Sequence, residues 1–377
     1  MLERYLRHSL IDWFSQEQVQ AANIAVVGAG ATGNEVLKNL VLLGAGHIDV
    51  FDFDRVEAHN LTRGIFLRED DIGRDKARSV AQRAAQVDPN VRVAAIVGDF
   101  WDTLSLGRLA GYDCVICCVD NFEARLRLNQ MCLIVGVDLI NAAIDSRHAS
   151  VELFPLSQTE VACYECHLPE SAYQRMAEHY SCGGLRKAAW QERKVPTTAI
   201  TASLAGAFAA SLALRLGDAQ SDGAFRVFCD SRNGASSRCL LARRPDCPGC
   251  SNFAARPTRI RARDAWASAL SGATPGEDEN VVVRLSDPVI VGCRCVRCGS
   301  ERDAESVRLR RARDFDERIT CCESCAERSM RVDIRERFTA AELKESFGER
   351  PPPVKYLLAN AGDRLVCIDL EEDEYGK

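Results

Sequence analysis

The chain has 377 residues, 48 basic and 54 acidic, for a formal charge of −6. It is long enough to bury a large core or to form two or three domains, and it lacks the overall basic field of a nucleic-acid binder. Residues 1–7 carry charges with no apolar run behind them, which excludes a secretory signal, and residues 199–216 include Thr201, Ser203, Ser211 and Arg215 and fall short of the ~20 apolar residues of a membrane span. A cytoplasmic protein with no membrane and no nucleic-acid partner is expected.

Residues 3–22 predict a helical arm. Residues 24–27, Ile-Ala-Val-Val, form a short β-prone run that ends at a glycine cluster. A helix is predicted over 33–43, with Val36, Leu37, Leu40, Val41 and Leu43 at helical spacing and Gly44 and Gly46 to stop it. Then come a strand at 48–51, a helix at 75–87, strands at 91–96 and 112–119, and a helix at 122–134. Such alternation predicts a parallel, Rossmann-like α/β sheet. Beyond residue 150, strand-like pieces at 150–154, 225–229 and 237–241 surround a long loop and the alanine-rich helix at 199–216, so a second half-sheet is expected and the sheet is mixed. Residues 253–280 hold a short helical pattern and the turn-rich Gly272-Ala-Thr-Pro-Gly276, read as a junction. The module at 281–377 is expected to hold strands near 281–285 and 288–291, a helix near 339–347 and a terminal strand at 364–370.

Gly28-Ala-Gly30-Ala-Thr-Gly33 follows a strand and opens a helix. Its glycines allow a tight turn and let backbone N–H groups approach a phosphate. Asp52 stands about 20 residues further on, at the end of the second strand, where its carboxylate can accept from ribose hydroxyls. These features specify a nucleotide without naming it. Asn60, Arg63 and Lys76 follow on the loop and next helix, and two cations among them suit the β- and γ-phosphates of ATP better than a dinucleotide pyrophosphate. Taken singly, each reads equally well as a solvated surface group. Asp120, with Asn121, stands past the strand at 112–119, where it could hold Mg2+ or cap the helix that starts at Phe122.

In order, these residues resemble the ThiF, MoeB and HesA superfamily, bacterial relatives of the ubiquitin-activating enzymes, over about residues 4–252. The resemblance rests on Arg4-Tyr5-Leu-Arg7, the glycine loop, Asp52-Phe-Asp54, Asn60-Leu-Thr-Arg63, Ile72-Gly73-Arg74-Asp-Lys76, Asp120-Asn121, Cys163-Tyr-Glu-Cys166 and Cys247-Pro-Gly-Cys250. It implies an adenylation domain at 23–252 behind an arm at 1–22. Adenosine would sit by Asp52, the triphosphate on Asn60, Arg63 and Lys76, and Mg2+ on Asp120. It also implies a homodimer in which Arg7 reaches the neighbour's γ-phosphate. Read from the sequence alone, Arg7 is one charge on an amphipathic helix. Ala31-Thr32 departs from the family's more usual second glycine and its neighbour, and Gly64 stands where a glutamine often follows the arginine; neither removes a charged group.

Eighteen cysteines in such a chain point to metal ligands, a reactive thiol and buried apolar positions rather than disulfides. Cys163, Cys166, Cys247 and Cys250 form two knuckles that fit a closed, structural Zn2+ site. Cys295, Cys298, Cys322 and Cys325 form a second set, a zinc ribbon or treble clef, with Cys293 and Cys321 beside it as alternative ligands. Cys114, Cys117, Cys118, Cys132, Cys229, Cys239 and Cys367 read as buried hydrophobes. Cys182 lies in the polar Tyr180-Ser181-Cys182-Gly183-Gly184 ahead of Arg186 and Lys187, a setting that favours thiolate. Its place resembles the crossover loop that carries the catalytic cysteine of thioester-forming relatives; the alternative is a loop cysteine without a role. The function expected is ATP-dependent adenylation of the C-terminal glycine of a ubiquitin-like protein, then a thioester on Cys182, with a ubiquitin-conjugating-type enzyme as a further partner. In layout the chain resembles activating enzymes of bacterial ubiquitin-like conjugation operons, some linked to phage defence. The rivals are sulfur-carrier adenylation without conjugation, an NAD-dependent oxidoreductase and a non-catalytic zinc scaffold.

Overall fold

The computed structural model describes residues 3–173, 196–214, 223–251, 253, 255–274, 281–301, 310–314, 321–327, 329–361 and 364–371. The chain divides into two compact units, Met1–Leu168 with Lys194–Ala254 and Pro169–Arg193 with Ala255–Lys377.

The first unit is built on an eight-stranded sheet of order β3-β2-β1-β4-β5-β6-β7-β8. Strands β1 (Asn23–Val27), β2 (His47–Asp52), β3 (Arg92–Val97), β4 (Cys114–Cys117) and β5 (Asp138–Ile144) run parallel. Strands β6 (His148–Phe154), β7 (Phe225–Asp230) and β8 (Ser236–Leu240) continue the same sheet antiparallel. The second half expected from the sequence is therefore an extension of the first. Ile24, Ala25, Val26 and Val27 are all buried, the uniform apolar pattern of a strand covered on both faces. By contrast β8 is exposed along its length, and its Ser236, Ser237 and Arg238 suit an edge strand.

Helix α2 (Ala31–Leu43) packs Val36, Leu37, Leu40 and Val41 into the core. The alanine-rich helix Ala199–Ala213 buries Ala202, Ala205 and Ala209 there too, and its Thr198 and Thr201 cap each other's backbone. Its small side chains permit close approach: a Cβ on Gly206 would lie 2.5 Å from that of Glu35 on α2.

The helical arm expected at residues 3–22 is built from short separate pieces. Residues Glu3–Tyr5 and His8–Leu10 form 3-10 turns, and only α1 (Gln16–Ala21), capped by Ser15, is α-helical. Leu6, Leu10 and Trp13 are exposed, so residues 3–14 lack the buried stripe that would hold a helix. What fixes the arm is Tyr5, whose hydroxyl donates to Asp88 Oδ2 at 2.5 Å while Arg4 pairs with the same oxygen at 2.8 Å. Burial pushes the Asp88 carboxyl up, but the Tyr5 and Arg4 bonds outweigh it and hold the group at about 2; burial and the same bond push Tyr5 up to about 12. Asp88 lies between α3 (Lys76–Val87) and β3, at the amino edge of the sheet, and two short helices, α4 (Phe100–Thr103) and α5 (Leu106–Leu109), follow β3.

The second unit holds a five-stranded sheet, β11-β10-β12-β13-β9. Strand β10 (Val282–Cys295) is one long strand where two were expected, and its register shifts between Arg284 and Val289, around Pro288, which has no N–H to donate. Strands β11 (Met330–Thr339) and β12 (Tyr356–Ala361) were not read in the sequence, and neither was β5. Strand β13 (Arg364–Asp369) matches the terminal strand expected. Within the stretch read as a junction lie β9 (Thr258–Arg261), parallel to β13, and a helix, Trp266–Ala273. Trp266 and Leu270 of that helix and Leu343 and Phe347 of the helix Ala340–Phe347 complete a core with Val283, Leu357 and Ile368. Among the described residues no helix is long and apolar enough to cross a membrane.

Candidate nucleotide site and cysteine clusters

The strand order reverses between β1 and β4, the switch point at whose carboxyl edge an open α/β sheet binds ligands. The glycine loop leaves β1 there. Gly28 has φ +100°, and a Cβ on it would lie 2.8 Å from the carbonyl oxygen of Cys118, just past β4; a Cβ on Gly33 would meet the Gly28 carbonyl oxygen at 1.9 Å. Both positions must therefore be glycine for the protein's own packing. Gly30 differs, since nothing lies within 4 Å of where its Cβ would be. It caps α2 and leaves the approach to that helix N-terminus open.

Asp52 ends β2 beside this loop. Its Oδ2 accepts from Ala29 N at 2.7 Å and its Oδ1 from Asp54 N at 2.8 Å. Burial nonetheless pushes its carboxyl above the usual value, against the opposing pull of Lys76 and these two bonds. Lys76, buried at the start of α3, donates to Asp54 Oδ2 at 2.8 Å and lies 3.9 Å from Asp52 Oδ1. The structure thus brings Gly28, Gly30, Gly33, Asp52, Asp54 and Lys76 to one edge.

Asn60 and Arg63 sit on the adjoining loop with local bonds. Asn60 Oδ1 accepts from Glu57 N at 3.0 Å, and Arg63 donates to the His59 carbonyl at 3.3 Å. Among the described residues neither bonds to the glycine loop, Asp52 or Lys76. Sequence reasoning missed the clamp that places their loop: Asn34, fully buried on α2, donates to the Ala29 and Gly30 carbonyls and accepts from Phe66 N at 3.0 Å. An amide in the first turn of the helix, just ahead of its apolar run, was the available signal.

Asp120 is exposed two residues past Cys118. Capping of α6 (Phe122–Val135) falls to Asn121, whose Oδ1 accepts from Ala124 N at 2.8 Å, so Asp120 has no capping duty. Also missed was Arg125, buried on α6, which donates to the Val119 and Ala142 carbonyls and to Asn141 Oδ1. Asn141 donates to Glu152 at 2.6 Å, and Glu152 accepts from Arg226 at 2.7 Å. This chain of polar groups crosses β5, β6 and β7 and ties down the backbone next to Asp120. Arg7 is exposed on the arm. Cys182, with residues 174–195, lies outside the described residues.

Cys163, Cys166, Cys247 and Cys250 gather their sulfurs within 4.8 Å of one another, all buried. Cys163 lies 3.8 Å from Cys247 and Cys166 3.4 Å from Cys250, against about 3.8 Å for the edge of a tetrahedron with ordinary zinc–sulfur bonds. The backbone N–H of Arg244 points at the Cys166 sulfur from 3.5 Å, support that suits a thiolate. Cys295, Cys298, Cys322 and Cys325 form a matching cluster with separations of 3.7 and 3.6 Å, and the N–H groups of Arg297 and Cys298 point at the Cys295 sulfur from 3.4 Å. Both donor sets fit zinc. Cys293 and Cys321 belong to neither cluster; Cys293 is buried in β10 and Cys321 is exposed. Of the cysteines read as buried hydrophobes, Cys239 is exposed on edge strand β8 and Cys118 half-buried, while the other five are buried.

The chain is 34% identical over 175 residues to the sulfur carrier protein adenylyltransferase of Thermus thermophilus, covering 45% of this chain and 65% of that one. It is 33% identical over 151 residues to the SUMO-activating enzyme subunit 2 of Dictyostelium discoideum, covering 40% of this chain and 22% of that one. With the SAMP-activating enzyme E1 of Haloferax volcanii it shares 32% over 174 residues, covering 45% and 63%. It thus spans less than two thirds of the length of each of these relatives. Escherichia coli MccB solved with ATP superposes with a TM-score of 0.54 over 66% of this chain and 74% of that one at 22% identity, a likeness of fold. Residues 2–249 match the ThiF family along the stretch that carries the glycine loop, Asp52, Lys76, Asp120 and Cys163, Cys166 and Cys247 of the first cysteine cluster. The chain belongs to the ThiF family.

Proposed function

We propose that this chain uses ATP and Mg2+ to adenylate the C-terminal glycine of a ubiquitin-like protein and then takes the acyl group onto Cys182. What carries the reading is the meeting, at one sheet edge, of the open Gly30 turn, the buried Asp52 carboxylate and Lys76, with the uncommitted carboxylate of Asp120 on the neighbouring loop. A glycine carboxylate oxygen attacks the α-phosphorus of ATP, the bond to the β-phosphate oxygen breaks, and pyrophosphate leaves with that electron pair. The Cys182 thiolate then attacks the acyl carbon, AMP departs, and a thioester remains.

Asp52 accepts from the ribose hydroxyls, Asn60, Arg63 and Lys76 hold the triphosphate, and Asp120 holds Mg2+, which neutralises phosphate charge when bound. To reach a phosphate, Lys76 Nζ gives up Asp54. Arg7 comes from the partner of a homodimer. In support, the arm is anchored at the amino edge by Tyr5 and Asp88, which leaves its root about 17 Å, the length of β2, from its own glycine loop. The first cysteine cluster holds a structural Zn2+ and the second another, within a module that recruits the ubiquitin-like protein or a ubiquitin-conjugating-type enzyme of a bacterial conjugation system, one serving antiviral defence.

The test is a non-reducing gel after incubation with ATP, Mg2+ and a ubiquitin-like protein ending in glycine, encoded beside this chain. A dithiothreitol-sensitive adduct, absent from Cys182→Ala, is expected; an adduct that persists in that variant overturns the thioester role. The likeness to the Thermus enzyme favours a second reading, sulfur-carrier adenylation, for which AMP and pyrophosphate form with no adduct.

A further inference from the structure

Strand β5 ends at the carboxyl edge of the sheet, and residues 145–147 turn the chain back into β6, which places Asp145 and His148 on the same edge as the glycine loop and Asp120. Strand β6 lies two strands from β4, about 10 Å at the usual strand spacing. Asp145 Oδ1 accepts from Arg147 N and His148 N, both at 2.7 Å, and its Oδ2 lies 3.0 Å from His148 Nδ1. Burial pushes the Asp145 carboxyl up, but these bonds outweigh it and hold the group below the usual carboxylate range. The carboxylate therefore accepts the Nδ1 proton, which leaves the lone pair on Nε2. Thr201 fixes the turn from α9 (Ala199–Ala213) by donating to the Asp145 carbonyl at 2.9 Å. The imidazole stacks on Phe228 of β7, with ring centroids 5.1 Å apart. Asp230 stands directly opposite His148, and Arg147 neutralises it with two bonds, one of them from Nε at 2.8 Å. Among the described residues Nε2 of His148 has no partner, and the side chain is 35% exposed. Capping the turn needs only the backbone bonds to Asp145. An imidazole aimed by a carboxylate, braced by an aromatic ring and open at its second nitrogen is the arrangement of a general base.

We infer that His148 is a catalytic base that takes the proton of the thiol attacking the acyl adenylate. The inference rests on the adenylation reading above and supplies a group for its second step. In that reading Asp52 on β2 holds the adenosine, so the α-phosphate lies toward β4 and the acyl group beyond it, toward β5 and β6. A glycine carboxylate needs no base to attack ATP. A thiol does, because with an ordinary pKa of about 8.5 it is mostly protonated at neutral pH. Nε2 accepts the S–H proton as the sulfur bonds to the acyl carbon. The bond from that carbon to the phosphate oxygen breaks, AMP leaves with its electron pair, and the imidazolium returns the proton to solvent. Asp145 holds the ring in the required tautomer and stabilises the imidazolium.

The assay uses the full chain carrying Cys182→Ala, with ATP, Mg2+ and the ubiquitin-like protein, and supplies 2-mercaptoethanesulfonate as the thiol, which makes it independent of the role of Cys182. Mass spectrometry reads the thioester formed with the added thiol, and ATP–pyrophosphate exchange reads adenylation alone. His148→Ala is expected to slow thioester formation about 10²-fold more than exchange, and added imidazole is expected to relieve the loss. His148→Gln, which keeps a donor for Asp145 but offers no base, should be as slow while melting at the temperature of its parent. Thioester formation at the parent rate in either variant overturns the proposal, as does a slowing that imidazole leaves untouched. Absence of exchange in the parent would instead sink the adenylation reading, and the proposal with it.

Discussion

Asp120 and Asn121 are neighbours that either could have capped α6, and the structure separates them. Asn121 Oδ1 accepts the Ala124 N–H at 2.8 Å, whereas among the described residues the Asp120 side chain makes one hydrogen bond, a 3.5 Å contact in which Asn121 Nδ2 donates. Loss of an N-cap costs about 1 kcal/mol, which in a unit of this size lowers Tm by about 2–4 °C. Asn121→Ala should therefore melt earlier, and Asn121→Ser, which restores an acceptor, should recover most of the loss. Asp120→Ala removes an exposed group and should stay within about 0.5 kcal/mol. If Asp120 organises Mg2+ on the α-phosphate, the same change should cut ATP–pyrophosphate exchange by about 10²–10³, equivalent to ~3–4 kcal/mol of barrier. Thermal melts and exchange assays with the ubiquitin-like protein present read the two quantities separately. An Asp120→Ala protein that melts early while exchanging within twofold of normal would sink the metal-binding role and return Asp120 to structure.

The glycine loop allows a similar separation. Gly33→Ala forces a Cβ against the Gly28 carbonyl and should destabilise the protein by several °C, whereas Gly30→Ala meets no protein atom and should melt normally while losing ATP affinity, as read by titration with a fluorescent ATP analogue; normal affinity in Gly30→Ala would remove the ligand from that turn. The arm latch depends on pH. The Asp88 carboxyl sits at about 2 in the folded chain against about 3.9 when free, so as pH falls the unfolded form binds the proton first. Its contribution, on the order of 2 kcal/mol, is therefore complete above about pH 4 and lost as pH falls through 2. Fluorescence of the exposed Trp13 should report arm release in that window, and in Asp88→Asn the arm should already be loose at neutral pH.

What could be read in advance was whatever depends on local geometry. The glycine turn, Asp52 at a strand end and the two cysteine knuckle pairs are short-range patterns, and short-range patterns survive in one dimension. Arg125 was illegible because an arginine on a helix ordinarily reads as solvated, and only partners on β5 and the loop after β4 bury it. Strand β11 was hidden by its own charges: Met330, Val332 and Ile334 have the right period, but Arg331, Asp333 and Arg335 between them resemble a polar loop. The arm departed in the other direction, since Leu6, Leu10 and Trp13, which suggested a helix face, are left exposed by the fold, while Tyr5 and Val19 are buried. Cys239 shows the limit of composition, because a strand with β propensity can still be an edge.

Helix α6 connects features that the sequence presents separately. Its first residues adjoin Asp120, Arg125 holds the Val119 carbonyl, and about one turn further on Asn129 Oδ1 accepts the N–H of Tyr164 at 3.0 Å, inside the first cysteine knuckle. The knuckle is thus braced against the helix that sets the backbone beside Asp120, so a metal there would steady the nucleotide edge without touching it. Asn129 is fully buried, and removing its acceptor strands the Tyr164 N–H at a cost of about 1–3 kcal/mol. Asn129→Ala should therefore release zinc faster to a chelator from the first cluster alone and lower ATP–pyrophosphate exchange together with it. The second cluster, with Cys298 exposed, should give up its metal first in the unaltered chain and at an unchanged rate in the variant. Normal zinc retention by the first cluster with depressed exchange would place the coupling in α6 itself, and normal values of both would show that the knuckle and the nucleotide edge are independent.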